Sequence, residues 1–222
     1  MMVRILVVLC GMVLGAAICA CADLPHLPVL HDPLTPQEHV MLGLTYEIQG
    51  HRDLAAREYQ TALTQESGYV PALIGMGNVA FAQGELEESE TYYHQALEAS
   101  PEHPGANNNL AMLYLAKGEN LREAERLALR ALAQRGPLQP YVLDTLAHIY
   151  ARQGRSKEAL AALEEAEAAA PPQDKMLHER LIRLRDQLVG DDSREKPTKT
   201  DKPAIPRMPE RNRNGSGKEL AI

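Results

Sequence analysis

The chain has 222 residues, 45% hydrophobic and 24% charged, which suits an ordinary soluble domain and excludes a sequence too polar to build a core. A formal charge of -7 at pH 7 would repel a phosphate backbone, so non-specific nucleic-acid binding is excluded. With one Phe and no Trp the core must be largely aliphatic, and the Ala and Leu that dominate mid-chain lose little side-chain freedom in a helix.

At the N-terminus, residues 1–4 carry one positive charge, and the uncharged, almost wholly apolar run from Ile5 to Ile18 has the shape of a secretory signal. Counted through to Ala22 the stretch is marginal against the ~20 residues a spanning helix needs. The segment Ile18-Cys19-Ala20-Cys21 resembles the lipobox of bacterial lipoproteins, in which a branched aliphatic stands three residues before the Cys that is lipidated and becomes the new N-terminus. That resemblance implies lipidation at Cys21 and cleavage just before it, residues 1–21 being signal peptide and lipobox, although Cys19 stands where the family usually has Ala or Ser. Plain secretion, by cleavage at the small-x-small pattern Ala20-Cys21-Ala22, and an uncleaved anchor both stay open. All three place the body outside the cytoplasm, facing the periplasm. Ala22 rather than Asp after the lipidated Cys implies outer-membrane sorting by the same resemblance. The three cysteines, Cys10, Cys19 and Cys21, all lie in this leader, so the body has no disulfide framework. Residues 22–35, with Pro25, Pro28 and Pro33, read as a flexible spacer.

Residues 36–173 repeat. The small residues Gly43, Gly77, Ala111 and Ala147 recur at spacings of 34, 34 and 36, and Gly50, Gly84, Gly118 and Gly154 at the same three. A third series, Ala62, Ala96, Ala131 and Ala166, runs 34, 35 and 35. Around these positions stand large apolar residues and Tyr46, Tyr59, Tyr93, Tyr114 and Tyr150, with Pro101 and Pro171 closing repeats two and four. Period and residue types together resemble the tetratricopeptide repeat. The resemblance implies an all-α superhelical solenoid of about four helical hairpins, at 36–69, 70–103, 104–138 and 140–173. Small residues would let paired helices approach, tyrosines would fill the remaining space, and the recurrent glycines would end first helices in the left-handed conformation. After Pro171-Pro172, residues 174–190 place Leu177, Leu181, Leu184 and Leu188 on one helical face and read as a C-terminal capping helix. Residues 191–222 turn to Lys, Arg, Asp, Glu, Pro, Gly and Ser, a composition that predicts a disordered tail.

No motif predicts catalysis. The string Gly75-Met76-Gly77-Asn78-Val79-Ala80 satisfies a relaxed dinucleotide-binding pattern, but it falls inside a predicted first helix with no preceding strand. His26, His31 and His39 have no acidic or Cys partner at ligand spacing and read as solvated, so neither metal nor cofactor is expected. No Ser, Cys or Thr in the body stands in a recognisable nucleophile setting. The acidic run Glu85, Glu87, Glu88 and Glu90 reads as a solvated first turn.

Function is therefore expected on the concave face that the family's first helices line. By the repeat offsets, a peptide-binding groove would include Leu44 and Glu47 from repeat one, and Asn78 and Phe81 from repeat two. Repeat three would add Asn108, Asn109, Met112 and Leu115, and repeat four Asp144, His148 and Arg152. Asn78 and Asn109 match asparagines with which relatives hold a peptide carboxylate and backbone, whereas Ile74 and Tyr141 stand where those relatives carry Lys. An extended segment with apolar side chains, its backbone held by Asn78, Asn108 and Asn109, fits better than a carboxylate clamp. The expected function is a membrane-tethered scaffold for a peptide or protein partner in envelope complex assembly. A pilotin-like assembly factor for a secretion or pilus system, or an accessory subunit of a cysteine-peptidase exporter, are the alternatives.

Overall fold

The computed structural model of the protein describes residues 32–195, and among these it forms nine helices and no strand. In chain order they are α1 (Pro36–Ile48), α2 (Arg52–Gln65), α3 (Val70–Gln83), α4 (Leu86–Ala99) and α5 (Pro104–Lys117). Then follow α6 (Leu121–Ala133), α7 (Gln139–Arg152), α8 (Ser156–Ala169) and α9 (Lys175–Glu195). The signal segment with Cys21, most of the spacer and the tail from residue 196 lie outside the described residues. The chain divides into two compact units, one ending at Lys117 and the other starting at Gly118.

Local chemistry sets the helix ends. Thr35 opens α1 with a capping box: its side chain accepts from the Glu38 N–H, and the Glu38 carboxylate accepts from the Thr35 N–H at 2.8 Å. Pro36, Pro71 and Pro140 sit in first turns, where a missing N–H costs nothing. The glycines at 50, 84, 118 and 154 all have φ between 69° and 82°, the left-handed region that a side chain disfavours, and each follows or caps a first helix.

In the first unit α1 packs on α2 and α3 on α4, with α2 against α3 and α4 against α5. Two tyrosine rings fill the gaps between helices. The fully buried Tyr59 of α2 lies between Gly43 of α1 and Gly75 of α3, and a Cβ at either glycine would fall inside the ring's van der Waals envelope. Tyr93 of α4 fills the same role against Gly77. The two glycines of the nucleotide-like string are therefore packing positions on opposite neighbours. Ala55, Ala62 and Val79 complete the core around Tyr59, and Leu73, Ala96 and Ala106 form a second cluster.

In the second unit α7 packs on α8, and α9 packs on both. Its core joins Leu143, Ala147, Ala159, Leu163 and Ala166 to Leu177, Leu181, Leu184 and Leu188 of α9. Tyr141 and Tyr150 pack against this core but stay partly exposed, and inside it small Ala and branched Leu interlock directly. The α9 backbone stays helical to Glu195, past the expected boundary at residue 190. Adding turns to a helix already anchored by packing is inexpensive, and Arg194 and Glu195 are good helix formers.

Two expectations near the N-terminus change. His39 is not solvated but 3% exposed, with Nδ1 2.7 Å from Glu58 Oε2 and Nε2 3.3 Å from Asp32 Oδ2. The described end of the spacer, residues 32–35, is also tied down, since Gln65 Nε2 donates to the Leu34 carbonyl at 3.0 Å. In both cases a partner 19 or 31 residues away, brought near by hairpin packing, satisfies a group that looks free in sequence.

Candidate peptide-binding face

In the first unit the first-helix positions of α3 and α5 converge on a pocket of about 260 Å³ lined by Asn78, Phe81, Tyr93, Asn109 and Met112. Four of these five were expected from repeat offsets. The floor is a hydrogen-bonded network: the Tyr93 hydroxyl donates to Asn78 Oδ1 at 2.9 Å, and Asn109 Nδ2 donates to the same oxygen at 2.8 Å. Because both neighbours donate, the Asn78 amide is oriented with its oxygen inward. That leaves Asn78 Nδ2 as a donor, and Asn109 Oδ1 as an acceptor, without partners among the described residues. Burial pushes the Tyr93 phenol up to about 12, so it stays a donor throughout the physiological range.

Glu47 joins this face from α1. It is half-buried and accepts a hydrogen bond from the Tyr59 hydroxyl. Burial raises its carboxyl above the usual range, an effect that the Tyr59 bond partly offsets. Its charge adds, well after burial, to the upward shift of the Tyr93 phenol. Leu44 is 47% exposed on the same helix, with Ile48 beside it still more exposed. The remaining charge on these helices is committed elsewhere: Lys117 Nζ lies 2.9 Å from Glu90 Oε2 of α4.

Two expected groove residues of α5 lie off the pocket wall. Asn108, 8% exposed, points its Nδ2 at Met112 Sδ and leaves Oδ1 buried without a partner among the described residues, behind the pocket wall. Leu115 is half-buried and lines no part of the pocket. The offsets name a helical face, but a face is broader than a pocket, and neighbouring helices cover its edges.

In the second unit Asp144 is not available to a ligand. It is 4% exposed and ion-paired with Arg180 of α9. His148 Nδ1 lies 2.9 Å from the Asp144 carbonyl oxygen and 3.4 Å from its Oδ1. The Asp144 side chain holds the His148 imidazole above its ordinary value, against the opposing pull of burial. Beside them the Tyr141 hydroxyl donates to Asp174 Oδ2 at 2.6 Å. Arg152 remains exposed at the C-terminal end of α7. The residues missed in sequence are Tyr93, Tyr59 and Arg180. The signal for the tyrosines was present, since a buried Tyr hydroxyl needs a partner. No local signal pairs Arg180 with a residue 36 positions earlier. Among the described residues no group of three metal-ligating side chains occurs, and no helix is long and apolar enough to cross a membrane.

Profiles of the tetratricopeptide repeat match residues 70–136 and 141–173. The chain is a tetratricopeptide repeat protein. Among solved structures, this repeat protein is similar to a thermophilic tetratricopeptide protein of Thermus thermophilus, with a TM-score of 0.60 at 23% identity, over 69% of this chain and 82% of that one. It is also similar to pilF of Pseudomonas aeruginosa, with a TM-score of 0.64 at 17% identity, over 72% of this chain and 69% of that one. Identities this low establish the fold alone. Among curated proteins it is 30% identical over 89 residues to a photosystem I assembly protein of Rippkaea orientalis, covering 38% of this chain and 50% of that protein. It is 35% identical over 88 residues to cellulose synthase operon protein C of Pseudomonas fluorescens, covering 40% of this chain and 7% of that protein. The chain thus spans half or less of the length of these relatives. A fold of this kind supports a protein-protein interaction scaffold.

Proposed function

We propose that the protein is a membrane-tethered adaptor of the cell envelope whose first unit binds an extended polypeptide across the first-helix face of α1, α3 and α5. The observation that carries this reading is the unspent donor on Asn78 and the unspent acceptor on Asn109, held side by side over an apolar pocket. An extended backbone presents one N–H and one C=O per residue and needs that complement. The pocket, at about 260 Å³, is smaller than the roughly 300–1,000 Å³ typical of small-molecule sites, and its Phe81 and Met112 walls suit a side chain. The role is binding without turnover. Photo-crosslinking in intact cells tests the site: benzoylphenylalanine at Met112 should trap a polypeptide, and the same group at the exposed Gln95 of α4 should not. Trapping from Gln95 alone would show that binding uses the other face.

The tether rests on the leader, through the lipobox resemblance that ends at Cys21. Radiolabelled palmitate should enter the full chain and not its Cys21→Ser variant. Equal labelling of both would leave a signal or anchor without a lipid.

A further inference from the structure

The charges on the first unit's binding face are few and one-sided. Helix α3 carries no Asp, Glu, Lys or Arg, and α5 carries only Lys117, which is engaged with Glu90. On α1 the acids are Glu38, spent on the capping box, and Glu47. Glu47 is thus the sole acid or base that this face offers to a ligand. Its position is imposed by the fold: the Tyr59 ring is locked between Gly43 and Gly75, and its hydroxyl holds one carboxylate oxygen. Arg52 attracts Glu47 from the start of α2 but forms no ion pair with it among the described residues.

The carboxylate at 47 is partly withdrawn from water. Burial is the dominant influence on Glu47, and it disfavours the charged form. A glutamine could accept the Tyr59 hydrogen bond without that cost. Held by the Tyr59 hydroxyl on a face that offers no other available carboxylate or cation, Glu47 is positioned to meet a ligand's charge. Around it, Leu44 and Ile48 expose apolar surface, and the Tyr59 ring that holds it packs on Gly75, three residues before Asn78 on α3.

We propose that this face selects extended segments in which an aliphatic side chain lies within two residues of a Lys or Arg, and that it rejects segments presenting a carboxylate there. The aliphatic group enters the pocket, the two asparagine amides take the backbone, and Glu47 receives the cation. A carboxylate would meet Glu47 and find no available basic side chain on α3 or α5, since Ile74 is apolar and Lys117 is engaged. The inference rests on the binding face proposed above and adds the chemistry of its partner.

A random twelve-residue peptide library displayed on phage tests it, panned against the chain from residue 32 onward, its Glu47→Lys variant and its Asn78→Ala/Asn109→Ala variant. Wild type should enrich Lys or Arg beside an aliphatic residue and deplete Asp and Glu, and Glu47→Lys should invert that charge preference. The double asparagine variant should enrich nothing. Winning peptides should bind Glu47→Gln roughly two- to five-fold more weakly than wild type, the range for a partly exposed ion pair. The Glu47→Gln protein should also melt no lower than wild type, which separates lost recognition from lost folding. If wild type selects peptides without basic enrichment and the asparagine variant loses them, the binding face stands and the charge rule is wrong. If wild type and the asparagine variant select the same peptides, or wild type selects none, the binding face itself is wrong.

Discussion

The two units build the same kind of hairpin with different fillers, and the fillers decide what the surface can do. In the first unit glycines face tyrosine rings, and each ring carries its hydroxyl through to the first-helix face, where it orients Glu47 or Asn78. In the second unit the buried core is alanine and leucine, which have no polar end to deliver, and the Tyr141 packed on it spends its hydroxyl on Asp174. The acidic group on its first helix, Asp144, is instead closed off by Arg180 from α9. An aromatic core residue with a polar tip links packing to recognition; an aliphatic one seals the core and leaves the surface to be covered by the next helix.

The sharpest test of that contrast is removal of a ring. Tyr59→Ala should cost about 3–5 kcal/mol, since it empties a fully buried site bounded by two glycines that cannot fill it. Native-state hydrogen exchange should show α1 to α3 losing protection while α8 and α9 keep theirs. Equal loss in both units would mean that the two are one cooperative body.

Opening the closed face should have the next largest effect. Arg180→Ala leaves a buried carboxylate without its partner and should cost about 1–3 kcal/mol, held at that level because the arginine is itself partly exposed. Adding Asp144→Asn should recover much of the loss, which chemical denaturation of the single and double variants would reveal.

Tyr93→Phe keeps the ring and deletes one donor to Asn78, so its stability cost should be about 0.5–1.5 kcal/mol. Its informative consequence is on binding, because Asn109 alone would then hold the Asn78 amide in its orientation. Isothermal titration with a peptide bound by wild type should show weaker affinity at a nearly unchanged melting temperature. Unchanged affinity would remove the tyrosine from the recognition network.

The smallest effect is the pH response of the second unit. His148 has a raised pKa in the folded state, chiefly through its hydrogen bond with Asp144. Its stabilising contribution is therefore complete below the unfolded value of about 6.5 and is lost as pH rises through the folded one. NMR titration of the His148 ring should place its midpoint above the ordinary histidine value of about 6.5, and His148→Gln should flatten the stability profile in that window. A midpoint at or below the reference would contradict the assigned geometry.

The repeat period, the four left-handed glycine turns and the leucine stripe of α9 were legible in the sequence, because each is written within one helix or one turn: a backbone conformation only glycine adopts easily, or apolar residues at helical spacing. Asn78, Phe81, Asn109 and Met112 were legible as a face for the same reason. Their convergence on one pocket was not, nor was the inward turn of the Asn78 oxygen, the burial of Asn108, the engagement of His39 by Asp32 and Glu58, or the capture of Asp144 by Arg180. Those partners stand up to 36 residues apart, and which of them meet is set by how closely the helices pack. Gly43 and Gly75 admit a tyrosine ring between α1 and α3, whereas alanine and leucine fill the core of α7, α8 and α9, where Arg180 comes to cover the Asp144 carboxylate.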